Sequence, residues 1–173
     1  MTLKHRLESA RRLVLMALCV AVAGSAEALS LTVENGEITG ILGLEIQGRG
    51  YNITFVDGTL NAVYPPPLNG YAALTEDAAQ ALLAASDSGA LQADPNWRKD
   101  LRPRGCSSEA SCTILIPDES EGAAPNARTT HARELIFSEG RFRSVTPKLW
   151  PFDASTDTKY MPDMLYAIIE RAR

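Results

Sequence analysis

Apolar and polar residues alternate between residues 38 and 64, which is the pattern of consecutive β-strands with one buried face. In the first predicted strand, three apolar side chains share a face: Leu42, Leu44 and Ile46. A flexible turn is predicted at Gly48-Arg49-Gly50. The strand after it is predicted to turn Asn52 and Thr54 outward and to bury three side chains: Tyr51, Ile53 and Phe55. Together these segments predict an N-terminal β-meander.

The end of this meander is marked by turn-forming residues. Asp57-Gly58 predicts a hairpin, because glycine tolerates a positive φ. Residues Thr59 to Tyr64 fit either a third strand or a short helical turn. The three prolines at 65–67 then end the segment, since proline cannot donate to a strand ladder.

Residues Leu74 to Ser86 carry the clearest helix signal. Thr75 is the predicted N-cap, and the carboxylates of Glu76 and Asp77 suit the positive N-terminal end of a helix. Small and apolar residues recur at helical spacing on one face: Ala78, Ala81, Leu82 and Ala85. This alanine-rich face is predicted to pack closely against the sheet.

The chain after this helix is predicted to alternate between irregular segments and short strands. Residues 87–112 are rich in turn formers and predict a loop. Residues 113–116 predict a short buried strand, which Pro117 would stop. Residues 118–130 again predict a loop.

A second hairpin is predicted around Glu139-Gly140. Strands at residues 133–137 and 141–145 would flank this turn. In that register Phe137 lies opposite Phe142, a cross-strand pair that would fix the hairpin.

The order of these elements predicts an α+β domain built on an antiparallel sheet, with the alanine-rich helix packed against it and further strands after the helix. Residues 164–171 fit either a C-terminal helix or a closing strand. The prediction is a single domain over residues 29–173, with irregular loops near 87–112 and 117–130.

The first 28 residues have the layout of a secretory signal peptide. A basic start is followed by an apolar run from Leu13 to Ala23, and small residues close it at Ala26-Glu27-Ala28. The apolar run is too short for a membrane-spanning helix, which needs about twenty residues. Cleavage after Ala28 is therefore predicted in preference to membrane anchoring, with a periplasmic or secreted product that has no membrane span.

Composition excludes one class of partner. The leader would take four basic and two acidic residues with it, so the chain's net charge of −4 would become about −6. Such a chain has no electrostatic reason to bind nucleic acid, and no nucleic-acid partner is expected.

Cleavage would also remove Cys19 and leave two cysteines, Cys106 and Cys112, separated by five small or polar residues. In an oxidising compartment such a pair predicts a disulfide. A redox site would favour a closer C-x-x-C spacing. A metal site would need more ligands than His131, the one histidine of the mature chain, can add.

The sequence contains none of the motifs that identify a nucleophile elbow, a phosphate loop, a zinc-protease helix or a dinucleotide fold. His131 is a candidate general base, with a surface loop residue as the competing interpretation. Asp153-x-Ser155-x-Asp157 begins like a calcium loop, but Thr158 replaces the glycine and Met164 the bidentate glutamate. No metal, cofactor or catalytic residue is therefore predicted.

Two further patterns bear on binding. Arg98, Lys99, Arg102 and Arg104 form a basic cluster beside Trp97, which suits either an acidic ligand or a solvated loop, and the loop is favoured. Asn52-Ile53-Thr54 is a glycosylation sequon, but its position in a predicted strand argues against modification.

Residues 39–64 are similar to a segment of small exported bacterial proteins, many of which carry a PEP-CTERM sorting signal. In those proteins a strand ends at glycine, a Tyr-x-Val-x-Phe-Val-Asp-Gly strand follows, and an alanine-rich helix comes next. The matching residues here are Gly50, Tyr51, Ile53, Phe55, Val56, Asp57 and Gly58, and residues 77–85 would be the helix. The resemblance implies an exported domain of unknown function and carries over no catalytic residue. The sorting tail is not present at residues 170–173, so outer-surface sorting through that pathway is not expected.

Two function hypotheses remain from the sequence. The favoured one is a non-catalytic exported module that binds an envelope protein or polysaccharide, or has a structural role there. The alternative is a small envelope hydrolase that uses acidic residues such as Asp57, Asp118 or Asp153. Two carboxylates about 5–10 Å apart in a cleft would favour the hydrolase.

Overall fold

The structure is a computed structural model that describes residues 28–64, 72–108, 110–121, 129–145 and 152–173. The predicted signal peptide lies outside the described residues except for its last residue, Ala28. Nine strands, two α-helices and one 3₁₀ turn occur in the described part of the chain. The strands are β1 (Ser30–Glu34), β2 (Glu37–Ile46), β3 (Arg49–Val56), β4 (Arg102–Pro103), β5 (Cys112–Glu121), β6 (Thr129–Ser138), β7 (Arg141–Val145), β8 (Phe152–Asp153) and β9 (Met164–Arg171). The helices are α1 (Leu60–Val63) and α2 (Ala72–Asp87), and the 3₁₀ turn is Thr158–Tyr160.

All nine strands belong to one sheet, and most of its pairings are antiparallel. The strand order is β1-β2-β3-β9-β5-β6-β7. The two short strands lie off this path, β4 beside β2 and β8 beside β6. Parallel pairing occurs between β5 and β9 and between β2 and β4. The predicted α+β class with a mainly antiparallel sheet is confirmed.

Strand β3 alternates as predicted. Tyr51, Ile53 and Phe55 are buried, whereas Asn52 is half-buried and Thr54 is exposed. Strand β9 pairs with β3 over six positions, so residues 164–171 form a strand, one of the two alternatives that the sequence left open.

In strand β2 the predicted face is wrong at Leu42. Ile41 is buried and pairs with Ile53, whereas Leu42 is only half-buried. The register shifts between Ile41 and Leu44, and Gly43 inside this bulge has a φ of 67°. A bulge inserts an extra residue and reverses the facing of the residues before it, which a strict two-residue period does not include.

The turns differ from the predicted ones at two places. The β2–β3 turn is Gln47-Gly48, with φ values of 51° and 73°, so Arg49 and Gly50 belong to β3 and not to the turn. Asp57-Gly58 forms no hairpin and leads into α1 instead. There the Thr59 hydroxyl accepts a hydrogen bond from the backbone N–H of Ala62, so the helical alternative for residues 59–64 is the correct one.

The prediction that Thr75 caps a helix is wrong, because α2 begins earlier, at Ala72. The Thr75 hydroxyl is buried and donates to the carbonyl of Pro117 at 2.7 Å. Helix α2 contacts the sheet through Ala78, Ala79 and Leu82, which are fully buried in the main core.

The prediction that Pro117 stops its strand is also wrong, since β5 continues to Glu121. The backbone N–H of Thr113 donates to Asp163 beside β9, and alternation turns the nitrogen of Pro117 to the same side. Strand β9 pairs with β5 only as far as Leu115, so the proline removes no ladder hydrogen bond. The predicted loop at residues 118–130 is accordingly shortened by strand at both ends, and residues 122–128 lie outside the described part.

The hairpin of β6 and β7 is confirmed. Glu139 and Gly140 form its turn, with φ values of 51° and 74°. Phe137 pairs with Phe142, and their rings meet edge to face with centroids 5.2 Å apart.

Two apolar clusters lie on opposite faces of the sheet. The larger one lies between the sheet and α2 and contains Ile53, Phe55 and Leu82. The smaller one lies on the face covered by α1 and is built from these residues: Leu60, Tyr64, Leu115, Ala132, Ala154 and Tyr166.

We expect Phe55→Ala to lower the free energy of unfolding by about 3–5 kcal/mol, because it opens a cavity in the main core. Thr54→Ala in the same strand should cost much less, since Thr54 is exposed. Chemical denaturation of both variants measures the difference. Equal losses at the two positions would contradict the facing of β3.

Candidate functional site

The three acids proposed for a hydrolase are not brought together around a cavity. Asp57 follows β3, Asp118 lies in a β5 bulge and Asp153 lies in β8. None of them lines either of the two larger cavities formed by the described residues. These three residues therefore do not form the cleft that the hydrolase hypothesis requires.

In the calcium-like motif, the carboxylate oxygens of Asp153 and Asp157 accept hydrogen bonds within local backbone turns. Asp153 Oδ1 accepts hydrogen bonds from the backbone N–H and the hydroxyl of Ser155, both at 2.7 Å. These bonds hold the pKa of Asp153 below its ordinary value. Asp157 Oδ1 accepts from the backbone N–H of Lys159 at 3.0 Å and caps the 3₁₀ turn. Within the described ranges no group of three metal-ligating side chains converges.

His131 and Asn52 both lie on strands. His131 is half-buried in β6 at the register position opposite Glu119, so it is not a loop residue. Asn52 Oδ1 accepts from the backbone N–H of Gly43 at 3.1 Å, which ties β3 to the bulge of β2. The sequon asparagine therefore has a structural role.

A pair of acids that the sequence did not group lies where residues 57–59 meet residues 157–158. The hydroxyl of Thr158 lies 3.2 Å from Asp57 Oδ1, and Thr59 forms a β-bridge with Asp157. Asp57 is exposed as a whole, but its Oδ2 lies against the backbone of Gly105. This partial burial raises the pKa of Asp57, the Thr158 bond opposes the shift, and the charges of Asp157 and Glu37 add to it.

Tyr166 lies near this acid pair on β9. It is fully buried, and its hydroxyl makes no hydrogen bond to any residue that the structure describes. Burial, with a smaller contribution from the charge of Asp157, raises the pKa of Tyr166 to about 12. The tyrosine therefore stays protonated at neutral pH.

Cys106 and Cys112 lie at disulfide distance, with Cα atoms 5.9 Å apart, as predicted. They border a cleft of about 350 Å³, which Lys99 and Arg102 also line. The rest of the predicted basic cluster is paired with acids: Arg98 contacts Asp100 at 3.4 Å, and Arg104 contacts Glu34 and Glu37. This pairing fits the solvated-loop interpretation better than an acidic-ligand site.

The larger cavity is a groove of about 640 Å³ between α2, the β2–β3 hairpin and the end of β9. We call it the arginine groove, because its lining includes three arginines: Arg49, Arg171 and Arg173. Helix α2 contributes three alanines to the opposite wall: Ala81, Ala84 and Ala85. Glu45 is the one acidic residue in the lining that the structure describes.

Sequence reasoning missed this groove, although part of the signal was present. The two-residue period that buries Tyr51 and Ile53 also places Arg49 on the same face of β3. The pairing of Tyr51 with Arg171 depends on the long-range β3–β9 register, which the sequence pattern does not contain.

Comparisons with models of protein families, with curated proteins and with solved structures found no match. Of the helices in the described ranges, neither α1 nor α2 has the length and apolar content that a bilayer crossing requires.

We expect Asp57→Asn to raise the melting temperature at about pH 7. A raised pKa means that the folded state disfavours the ionised form, so this group stabilises the fold most below its unfolded pKa and progressively less as pH rises through the folded value. The gain should therefore vanish near and below the ordinary pKa of 3.8. Asp153→Asn is the matched control and should act in the opposite direction near neutral pH, because the pKa of Asp153 is lowered. Calorimetric melts across this pH range test both, and shifts of the same sign would contradict the assignment.

Reduction of the Cys106–Cys112 bond should lower the melting temperature and leave a folded domain. Closing so short a loop stabilises by about 2–3 kcal/mol. Both cysteines are buried in the main core, but its other members lie outside the loop that the bond closes. Melts with and without reductant, compared with the double variant Cys106→Ala/Cys112→Ala, measure this. Thiol labelling of both cysteines in the native, non-reduced protein would show that the bond is not formed.

Proposed function

We propose that the chain is an exported, non-catalytic binding module of the bacterial cell envelope that holds a protein or polysaccharide partner in the arginine groove. The observation that carries the proposal is the groove, which is the larger of the two main cavities in the described part and is lined by arginines and small residues. Among the described residues, its lining contains no pair of carboxylates and no histidine, so it is suited to holding a ligand more than to acid–base chemistry.

Three observations support export. The first 28 residues follow the signal-peptide layout, and Cys106 and Cys112 lie at the distance of a disulfide, which persists in oxidising compartments. The segment of residues 39–64 also resembles small exported proteins of the PEP-CTERM type. A periplasmic or secreted protein is the consistent interpretation.

A small envelope hydrolase is the second candidate, and one observation favours it. Burial raises the pKa of Asp57, which lies near the charge of Asp157, and a carboxyl group with a raised pKa is suited to act as a general acid. This pair lines neither of the two larger cavities, which is why binding is preferred.

The deciding experiment combines binding and turnover. The full chain, expressed for export, is incubated with a panel of envelope polysaccharides and charged peptides, and calorimetry measures binding while chromatography measures products. We expect saturable binding without product. Product formation that disappears in the double variant Asp57→Asn/Asp157→Asn would overturn the proposal in favour of the hydrolase.

A further inference from the structure

We infer that the ligand of the arginine groove is an acidic peptide segment of a partner protein, with carboxylates at every second residue. The inference rests on the proposed binding function and adds the chemical class of the partner. It is carried by the positions of Arg49, Arg171 and Arg173, by the absence of ion pairs to them among the described residues and by the composition of the groove walls.

The β3–β9 register places the three arginines side by side. Tyr51 pairs with Arg171, and the backbone N–H of Ala172 donates to the carbonyl of Gly50 at 3.0 Å. Continuing this antiparallel register sets Arg173 opposite Arg49. Since paired residues and residues two apart share a face, all three guanidinium groups project on the face of Tyr51, toward α2.

Three positive charges at such neighbouring positions repel one another unless anions lie between them. No ion pair within the described residues involves Arg49, Arg171 or Arg173. Glu45 also lines the groove, but no ion pair within the described residues joins it to these arginines. Asp77, one turn of α2 before the groove, accepts a hydrogen bond from Gln47. With three arginines and one glutamate in its described lining, the groove presents a net positive charge within an acidic chain.

The spacing and the walls select the type of anion. Arg171 ends β9, and Arg173 lies two residues further along the chain. At strand spacing these two residues are about 6.6 Å apart, which equals the spacing of alternate side chains in an extended peptide. Guanidinium groups bind carboxylates through paired hydrogen bonds. The described lining contains no aromatic ring on which a sugar could stack, and this favours a peptide over a polysaccharide.

The test uses a fluorescein-labelled extended peptide of about ten residues that alternates Glu with Thr, matching the two-residue period of a strand. A Gln–Thr peptide is the uncharged control, and fluorescence anisotropy measures binding at low and high salt. We expect saturable binding of the Glu–Thr peptide that weakens with salt, because the contacts are charge pairs at the surface. Since the chain has a net charge of −4, non-specific attraction of this peptide is not expected.

The double variant Arg49→Gln/Arg171→Gln should weaken binding about tenfold or more. Arg98→Gln/Arg141→Gln is the matched control, since it removes the same charge from exposed positions outside the groove and should leave the affinity unchanged. Neither double variant should lower the melting temperature appreciably. The groove arginines make no ion pair within the described residues, and the Arg98–Asp100 pair that the control removes is exposed to solvent. Equal loss in both variants, or no binding of the Glu–Thr peptide to the parent chain, would overturn the inference.

Polygalacturonate, an acidic polysaccharide, is tested as a second ligand. Its binding distinguishes a failure of the peptide assignment from a failure of the proposed binding function. Binding of polygalacturonate but not of the peptide, abolished by Arg49→Gln/Arg171→Gln, would overturn the peptide assignment and leave the binding module intact. Turnover of any panel ligand through Asp57 and Asp157 would overturn the proposed function itself.

Discussion

The fold depends on the curling of one sheet until its distant strands touch. Phe55 lies on β3 and Phe142 on β7, four strands away in the sheet order, yet their ring centroids are 6.5 Å apart. In a flat sheet with strands about 4.8 Å apart, these positions would be separated by about 19 Å. Phe137 packs against Phe142 and extends this contact. The buried face of the sheet thus becomes concave, and α2 packs against this face through Ala78, Ala79 and Leu82.

A sheet that curls this much needs local devices to bend its strands and to protect its edges. Bulges interrupt the pairing of β1, β2, β5 and β6, and a bulge adds twist and bend to its strand. In both edge strands a backbone N–H donates a hydrogen bond to a side chain. Leu31 of β1 donates to Asp94, and Phe142 of β7 donates to the hydroxyl of Ser86. These contacts occupy donors that could otherwise recruit another strand.

The same bulges explain which parts of the fold the sequence could predict. Where the ladder is unbroken, as at Ile53 and Phe55 in β3, the two-residue period identified the buried face. Where Gly43 opens a bulge, the period assigned Leu42 to the wrong face. The cost of Pro117 in a strand depends on whether another strand pairs on the side that its nitrogen faces. This is a tertiary property, so the sequence alone led to the wrong prediction that Pro117 ends its strand. The candidate site was missed for a related reason, since local patterns cannot specify that β9 pairs with β3.

The arginine groove is a continuation of the core rather than a separate structure. On β3 the inner face reads Ile53, Tyr51 and then Arg49, and on β9 it reads Ile169 and then Arg171. Each row therefore changes from apolar to cationic within one or two steps, where the concave face opens to solvent. The register that aligns the core residues also aligns the arginines, so a stable core fixes the spacing of the charges. No ion pair within the described residues involves these arginines, so the ligand that we propose for the groove would have to match the spacing of the strands themselves.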